Sequence, residues 1–285
     1  MTVTTVHELG DHVGQQVTLQ GWLYNRRSKG KLHFLILRDG TGMVQCVGFR
    51  GEMDDATFAL AGEVSQEASM RVTGTVREDS RAPGGHELAL QGLEILQNPG
   101  LDYPLGKKDH GPDFLLGHRH LWLRSRRPWA TLRIRHEVIR AIRDFLDERG
   151  FINVDGPIFT PAACEGTSTL FQVPYGEEMT AYLTQSGQLY NEANCMSFGK
   201  VYCFGPTFRA ERSKTRRHLA EFWMVEPEMA YAHLEDVMDL AEEMVEYLVG
   251  RVLERRRSEL EILERDVGPL EAVRRPFPAS PMRRR

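Results

Sequence analysis

The chain has 285 residues, 41% of them hydrophobic and 27% charged, with a net charge of −4. That is room for two ordinary domains with a core each, and too little positive charge for a surface that binds nucleic acid everywhere. No apolar run approaches the ~20 residues that span a bilayer, and the amino terminus MTVTTVHELGDHVG lacks an export pattern, so a cytoplasmic location and no membrane partner are expected.

Five stretches of the first hundred residues read as strands: 17–24, 31–39, 43–49, 70–78 and 86–96. Val17, Leu19, Gly21 and Leu23 alternate with other residue types, as do Met70, Val72, Gly74 and Val76, the period of a half-buried strand. Residues 51–64 suit a short helix. The order strand, strand, strand, helix, strand, strand predicts a five-stranded oligonucleotide-binding barrel over 1–100. Such barrels hold single strands on the face of strands 2 and 3, by stacking on aromatic rings beside cations. Phe34 falls on strand 2 and Gln45 on strand 3, with Arg26, Arg27, Lys29 and Lys31 expected in the loop before strand 2. The spacing alone also allows a core Phe34 and a solvated cationic loop.

The strand pattern stops in a Pro-, Gly- and charge-rich linker over 101–113, and a second domain is expected over 114–268. Apolar residues Leu132, Val138, Ile139, Ile142, Phe145 and Leu146 predict an amphipathic helix capped by Gly150. Residues 151–161 read as a strand interrupted by Pro157. Short strands are expected at 180–183, 201–204 and 222–229, then one long helix from Leu234 to about Leu263. Helices on a mainly antiparallel sheet make this domain α+β. The four cysteines, Cys46, Cys164, Cys195 and Cys203, form no Cys-x-x-Cys pair and have no histidine at zinc spacing, so reduced thiols and no metal site are expected.

The stretch FGPTFRAERSKTRRHLAEF gathers Arg209, Arg212, Lys214, Arg216 and Arg217 between two strands. Cations crowded into a loop repel one another unless an anion joins them, which points to a polyphosphate ligand. The sequence has neither a Gly-x-x-x-x-Gly-Lys loop nor a Gly-x-Gly-x-x-Gly after a strand, so any nucleotide binds by another mode.

The FRAER, RRH and EF residues of this stretch closely resemble motif 2 of the class II aminoacyl-tRNA synthetases. The helix followed by FINVDGPIFTP resembles motif 1, and GWLYNRRSKGKLHFLILRDGTGMVQ resembles the anticodon-binding barrel of the aspartate, asparagine and lysine subclass. Within it, aspartyl enzymes carry Gln-Ser-Pro-Gln-Leu-x-Lys, whose lysine pairs with the substrate carboxylate; here the segment is Gln185-Ser-Gly-Gln-Leu-Tyr-Asn191. Aspartate would meet no cation there, and Glu226, similar to the amide acceptor of asparaginyl enzymes, would repel it. The resemblance is therefore to asparaginyl-tRNA synthetases, with aspartate–tRNA ligase as the alternative within the subclass.

That resemblance implies ligation of asparagine to tRNA(Asn) with ATP as substrate. Arg209 would hold the α-phosphate during adenylate formation, Glu211 would face the adenine amino group, Phe222 would stack on the ring, and Arg217 or His218 would reach the γ-phosphate. Glu165 and Gln188 would bind the substrate α-amino group, with Asn191 and Glu226 in the side-chain pocket. Arg26, Phe34 and Gln45 would grip the middle anticodon base. Taken singly, Phe222 also suits a strand core, Glu165 a capping role and Glu211 a salt bridge. The family's motif 1 interface implies a homodimer.

The resemblance fails after Leu263. The family's third motif, Gly-x-Gly-x-Glu-Arg, and the acidic ligands for its Mg2+ have no counterpart, and an Arg- and Pro-rich tail over 269–285 is expected to be disordered. The expectation is a class II domain truncated by about one domain's length, ~150 residues. A non-catalytic tRNA-binding module is the other reading, whereas a single-stranded DNA-binding barrel leaves the motif 2 hairpin unexplained.

Overall fold

In the computed structural model, which describes residues 2–100, 102–106, 108–164, 166, 169–176, 179–211 and 218–279, the chain forms two units, Met1–Pro112 and Asp113–Arg285. The first unit runs β1 (Thr2–Val3), a 3-10 turn, β2 (Gln16–Lys29), β3 (Leu32–Arg38), β4 (Met43–Phe49), α1 (Asp55–Glu63), β5 (Ser69–Glu78) and β6 (His86–Gln97). The sheet order is β1-β2-β3-β4-β6-β5, and a further β2–β5 pairing closes the five long strands into a barrel.

Alternation decides what fills it. Leu19, Leu35, Leu37, Met70, Leu88 and Leu90 are all no more than 1% exposed, and burying each contributes ~1.5–3 kcal/mol. Closure also needs backbone to approach backbone. A Cβ on Gly74 would overlap the Ala89 carbonyl oxygen on β6, so a glycine is what this crossing accepts.

β2 exceeds the strand expected at 17–24. An irregularity between Leu23 and Asn25 lets it continue opposite β3 to Lys29. Arg26, Arg27 and Lys29 therefore lie on a strand, not in a loop, and the turn contracts to Gly30 and Lys31, with Gly30 at φ +60°.

The second unit runs α2 (Pro112–Gly117), α3 (Arg119–Trp122), α4 (Arg126–Glu148), β7 (Ile152–Asn153), β8 (Phe159–Thr160), β9 (Gln172–Tyr175), β10 (Met179–Leu183), α5 (Gln188–Phe198), β11 (Lys200–Phe208), β12 (Glu221–Met229), α6 (Leu234–Arg255), α7 (Arg257–Ile262) and α8 (Gly268–Glu271). Among the described residues these strands make two three-stranded sheets, β8-β10-β9 and β12-β11-β7. The fold is α+β. Phe145, Leu146 and Phe151 pack against Tyr202 and Phe204 of β11, with Leu240, Met244 and Leu248 of α6 beside them.

Gly150, at φ +78°, ends α4 by letting the Phe151 amide donate to the Leu146 carbonyl. The strand expected over 151–161 is two short ones, because the chain leaves the sheet around Pro157, which has no amide hydrogen to give. The long helix expected from Leu234 divides at Arg256 (φ −130°, ψ 28°), whose guanidinium reaches the buried Glu137 at 2.7 Å. α5 was not foreseen; its signal is the glycine at each end, Gly187 and Gly199.

The segment expected to be a disordered tail holds α8 and, beyond it, Arg275, which pairs with Glu243 and Glu246, both at 2.9 Å. The acidic side of α6 gives this arginine partners that a reading of the tail alone could not supply. Among the described residues no helix is long and apolar enough to cross a membrane.

Candidate functional site

The β11–β12 hairpin has two faces. Tyr202 and Phe204 are on the side packed against the helices; Cys203, Gly205 and Thr207, by alternation, are on the other. Register opposes Cys203 to Glu226, Gly205 to Met224 and Thr207 to Phe222, so Phe222, Met224 and Glu226 share that outer face. Arg209 follows at the end of β11, its amide donating to the Ala220 carbonyl at 3.0 Å. Its guanidinium carbon is 5.3 Å from the Phe222 ring centroid, and Nη2 is 3.8 Å from Met224 Sδ. Three of the residues singled out in the sequence, Arg209, Phe222 and Glu226, thus stand in a row on one face. Phe222 is half-buried there rather than in the helix-side core.

Glu226 is held from three directions. The Ser186 hydroxyl donates to Oε1, and the Gly187 amide and Cys203 thiol donate to Oε2 at 3.1 and 3.3 Å. Ser186 Oγ itself accepts from the Gln188 amide at 3.1 Å, and Thr184 Oγ1 donates to the Ser186 carbonyl at 2.8 Å, so the 184–188 loop is fixed from within. Burial, then the charge and hydrogen bond of Glu226, push the Cys203 thiol up to about 12. A cavity of about 240 Å³ borders Glu226, Gly187, Cys203, Thr207 and Asp155. Burial, with the charges of Glu192 and Glu226, also raises Glu228 above the usual carboxylate range.

Gln188 is exposed on the first turn of α5, where its Nε2 donates to Glu192 Oε1 at 2.9 Å. Asn191 is different: it is 0% exposed, its Oδ1 accepts from Asn194 Nδ2 at 3.3 Å, and it does not border the cavity. Glu211 and His218 are exposed on either side of 212–217. Glu165 and Arg217 lie outside the described residues, and among those described no three His, Cys, Asp or Glu side chains converge on a metal position.

On the barrel, β3 and β4 turn Phe34, Ile36, Gln45 and Val47 to the half-exposed face, with Ile36 opposite Gln45 and Phe34 opposite Val47. Phe34 is therefore not a core residue. Across from it stands Arg27, its guanidinium carbon 4.4 Å from the ring centroid. Arg26 pairs in register with Leu35, on the opposite side of the strand from Arg27; it too is exposed, and lies near enough to His33 that, after burial, its charge helps hold that imidazole below its ordinary value. The cation beside Phe34 is Arg27, which the sequence reading left among the loop residues. The one-residue irregularity in β2, invisible as a pattern, decides which arginine lies across from Phe34.

Residues 111–284 match the family described as tRNA synthetases class II (D, K and N), and residues 17–96 match the OB-fold nucleic acid binding domain. The chain belongs to the class II tRNA synthetases of this group. Among relatives of this class II chain, the "Asparagine--tRNA ligase" of Sorangium cellulosum (strain So ce56) is 60% identical over 276 residues, 97% of this chain and 62% of that one. That of Thermus thermophilus is 59% identical over 266 residues, 93% of this chain and 61% of that one. The crystal structure of asparaginyl-tRNA synthetase from Pyrococcus horikoshii complexed with asparaginyl-adenylate superposes with a TM-score of 0.90 at 39% identity, covering 96% of this chain and 64% of that one. This class II synthetase chain thus spans somewhat under two thirds of the length of these relatives.

Proposed function

We propose that this chain activates asparagine with ATP and transfers it to tRNA(Asn), with the barrel reading the anticodon. The observation that carries the reading is the row of Arg209, Phe222 and Glu226 on the outer face of the β11–β12 hairpin. Phe222 and Glu226 are four residues apart on one strand, ~14 Å at ~3.4 Å per residue, the length of an extended ligand with a planar base at one end and a small polar group at the other. Arg209, beside the base end, supplies fixed positive charge where a phosphate would lie, the preorganised stabilisation that phosphoryl chemistry demands.

Glu226 sets the choice of amino acid. A held carboxylate accepts from an amide NH2 and repels a second carboxylate. Aspartate would bring a second carboxylate against Glu226 in a cavity that Asp155 also borders, with Arg143 elsewhere on its lining. The match to asparagine ligases and to an asparaginyl-adenylate complex supports the same direction. Mg2+ is the divalent ion expected with ATP, held mainly by the phosphates and water with one or two carboxylates, and no step here is routed through it. The second face of the proposal is the outer surface of β3 and β4, where Phe34 offers a stacking plane, Arg27 a cation and Gln45 an amide.

The test is asparagine-dependent exchange of pyrophosphate into ATP by the purified chain, with aspartate as control. Exchange with asparagine alone is the expected result. Exchange driven by aspartate would reverse the specificity, and none with either amino acid in a folded sample that binds tRNA would leave a non-catalytic tRNA-binding module.

A further inference from the structure

We propose that Cys203 is a positioning residue for Glu226, and that with Ser186 and the Gly187 amide it leaves the carboxylate a single acceptor direction for an amide in the cavity. The inference rests on the reading of Glu226 as the amide acceptor. A carboxylate offers about four lone-pair directions. Among the described residues, Oε2 takes two donors, the Gly187 amide at 3.1 Å and the Cys203 thiol at 3.3 Å, and Oε1 takes the Ser186 hydroxyl. One direction remains, on Oε1. A neutral amide has a hydrogen to place there; an ionised carboxylate has none.

The sulfur and the glycine are coupled. Gly187 has φ −86° and ψ −2°, a backbone any residue adopts, so conformation does not require glycine here. Space does: a Cβ on residue 187 would overlap Cys203 Sγ. The thiol occupies the volume that the missing side chain vacates, and from there reaches Oε2. Cys203 is 6% exposed, and its thiol is held protonated by burial, by Glu226 and, more weakly, by Asp155. A protonated thiol is a donor, which is the state the contact needs.

Two readouts test this. The first needs no amino acid: site-resolved alkylation by iodoacetamide at pH 8, followed by mass spectrometry. Glu226→Gln removes the charge that, after burial, does most to keep Cys203 protonated, and its alkylation should rise about tenfold. Cys195, equally buried but bonded to the Gly199 carbonyl, reports any general opening. An unchanged Cys203 rate, or an equal rise at Cys195, overturns the proposal.

The second is calorimetric binding of asparagine and aspartate to the whole chain. Cys203→Ala should lower asparagine affinity about tenfold and narrow the preference over aspartate, Gly187→Ala should do the same by displacing the sulfur, and Cys203→Ser should restore both. Parent-like affinity and preference in Cys203→Ala would overturn the positioning role. A parent chain that prefers aspartate would instead overturn the proposed specificity, and the alkylation result would still judge the Cys203–Glu226 contact.

Discussion

Arg27 lies directly across the β2–β3 pairing from Phe34, with its guanidinium carbon 4.4 Å from the ring centroid, while Arg26, one residue earlier, is opposite Leu35 and so on the other side of the strand. A base stacked on the exposed part of that ring would have its backbone phosphate within reach of the Arg27 charge. Phe34→Ala should therefore weaken binding of tRNA by ~1–3 kcal/mol. Arg27→Ala should weaken it more than Arg26→Ala, and fluorescence anisotropy at fixed salt reads all three. Equal losses at the two arginines would mean that the strand face does not set the contact.

Arg209 makes a different prediction because it belongs to the second unit. Its guanidinium sits beside Phe222 and Met224, where it would meet an adenylate. Arg209→Ala should abolish asparagine-dependent pyrophosphate exchange under the proposed function. Removing one preorganised hydrogen-bond donor to a developing negative charge costs ~2.7–4 kcal/mol in other active sites. Binding of tRNA should stay within twofold of the parent, about 0.4 kcal/mol; a parallel loss of both would point to misfolding instead.

Glu137, 2% exposed, is the centre of the charge network behind the core of the second unit, with Arg251 Nε at 2.9 Å and Arg256 Nη2 at 2.7 Å. Removing the carboxylate leaves Arg251 with Asp144 and Tyr247 and Arg256 with Glu259 at 3.7 Å, and takes from each its contact with the most buried acid of the network. Glu137→Ala should destabilise this unit by ~3–5 kcal/mol, the cost of breaking a buried pair from one side, measured by urea denaturation. The same change at the exposed Glu94, which pairs with Arg71 on the barrel surface, should cost under about 1 kcal/mol.

Burial works to raise Glu137, but the hydrogen bonds and charges of Arg251 and Arg256 outweigh it and hold the carboxyl below its ordinary value. A depressed carboxylate contributes stability that is fully present above its unfolded pKa, about 4.3, and is lost as pH falls through the lower folded value. Glu259 behaves alike: burial opposes the hydrogen bonds of Arg133 and Ser258, and the balance again falls below the usual range. The melting temperature should be flat through neutral pH and fall below about pH 4. The gap between the parent and Glu137→Gln should shrink over the same acid window, because protonation makes residue 137 neutral in both proteins.

The barrel was legible in the sequence because a barrel strand is half buried. Each side chain of β3 and β4 alternates between core and surface, and a period of two survives in the residue order. The position of Phe34 on the strand was legible, but the identity of its cation was not. One irregular residue between Leu23 and Asn25 changes which arginine shares the side of Phe34, and no composition rule reports it. The helix over 234–263 failed similarly: its apolar period is continuous, and the break falls at Arg256, whose guanidinium bonds to Glu137, 119 residues away in the chain.

By itself the sequence determined the elements whose signal is local: the strands of the barrel, the glycine that ends α4, the cation-rich hairpin and the motifs that mark the family. The tertiary structure decided whatever depends on two distant segments meeting. Glu226 could be singled out from the sequence, but its hold could not, since Ser186 and Gly187 come from the loop before α5 and Cys203 from the neighbouring strand. Asn191 was expected in the pocket and is wholly buried on α5, because a helix turns its side chains through about 100° per residue and only packing fixes which one faces the cavity. A hydrogen bond has a direction and a length, and residue order carries neither.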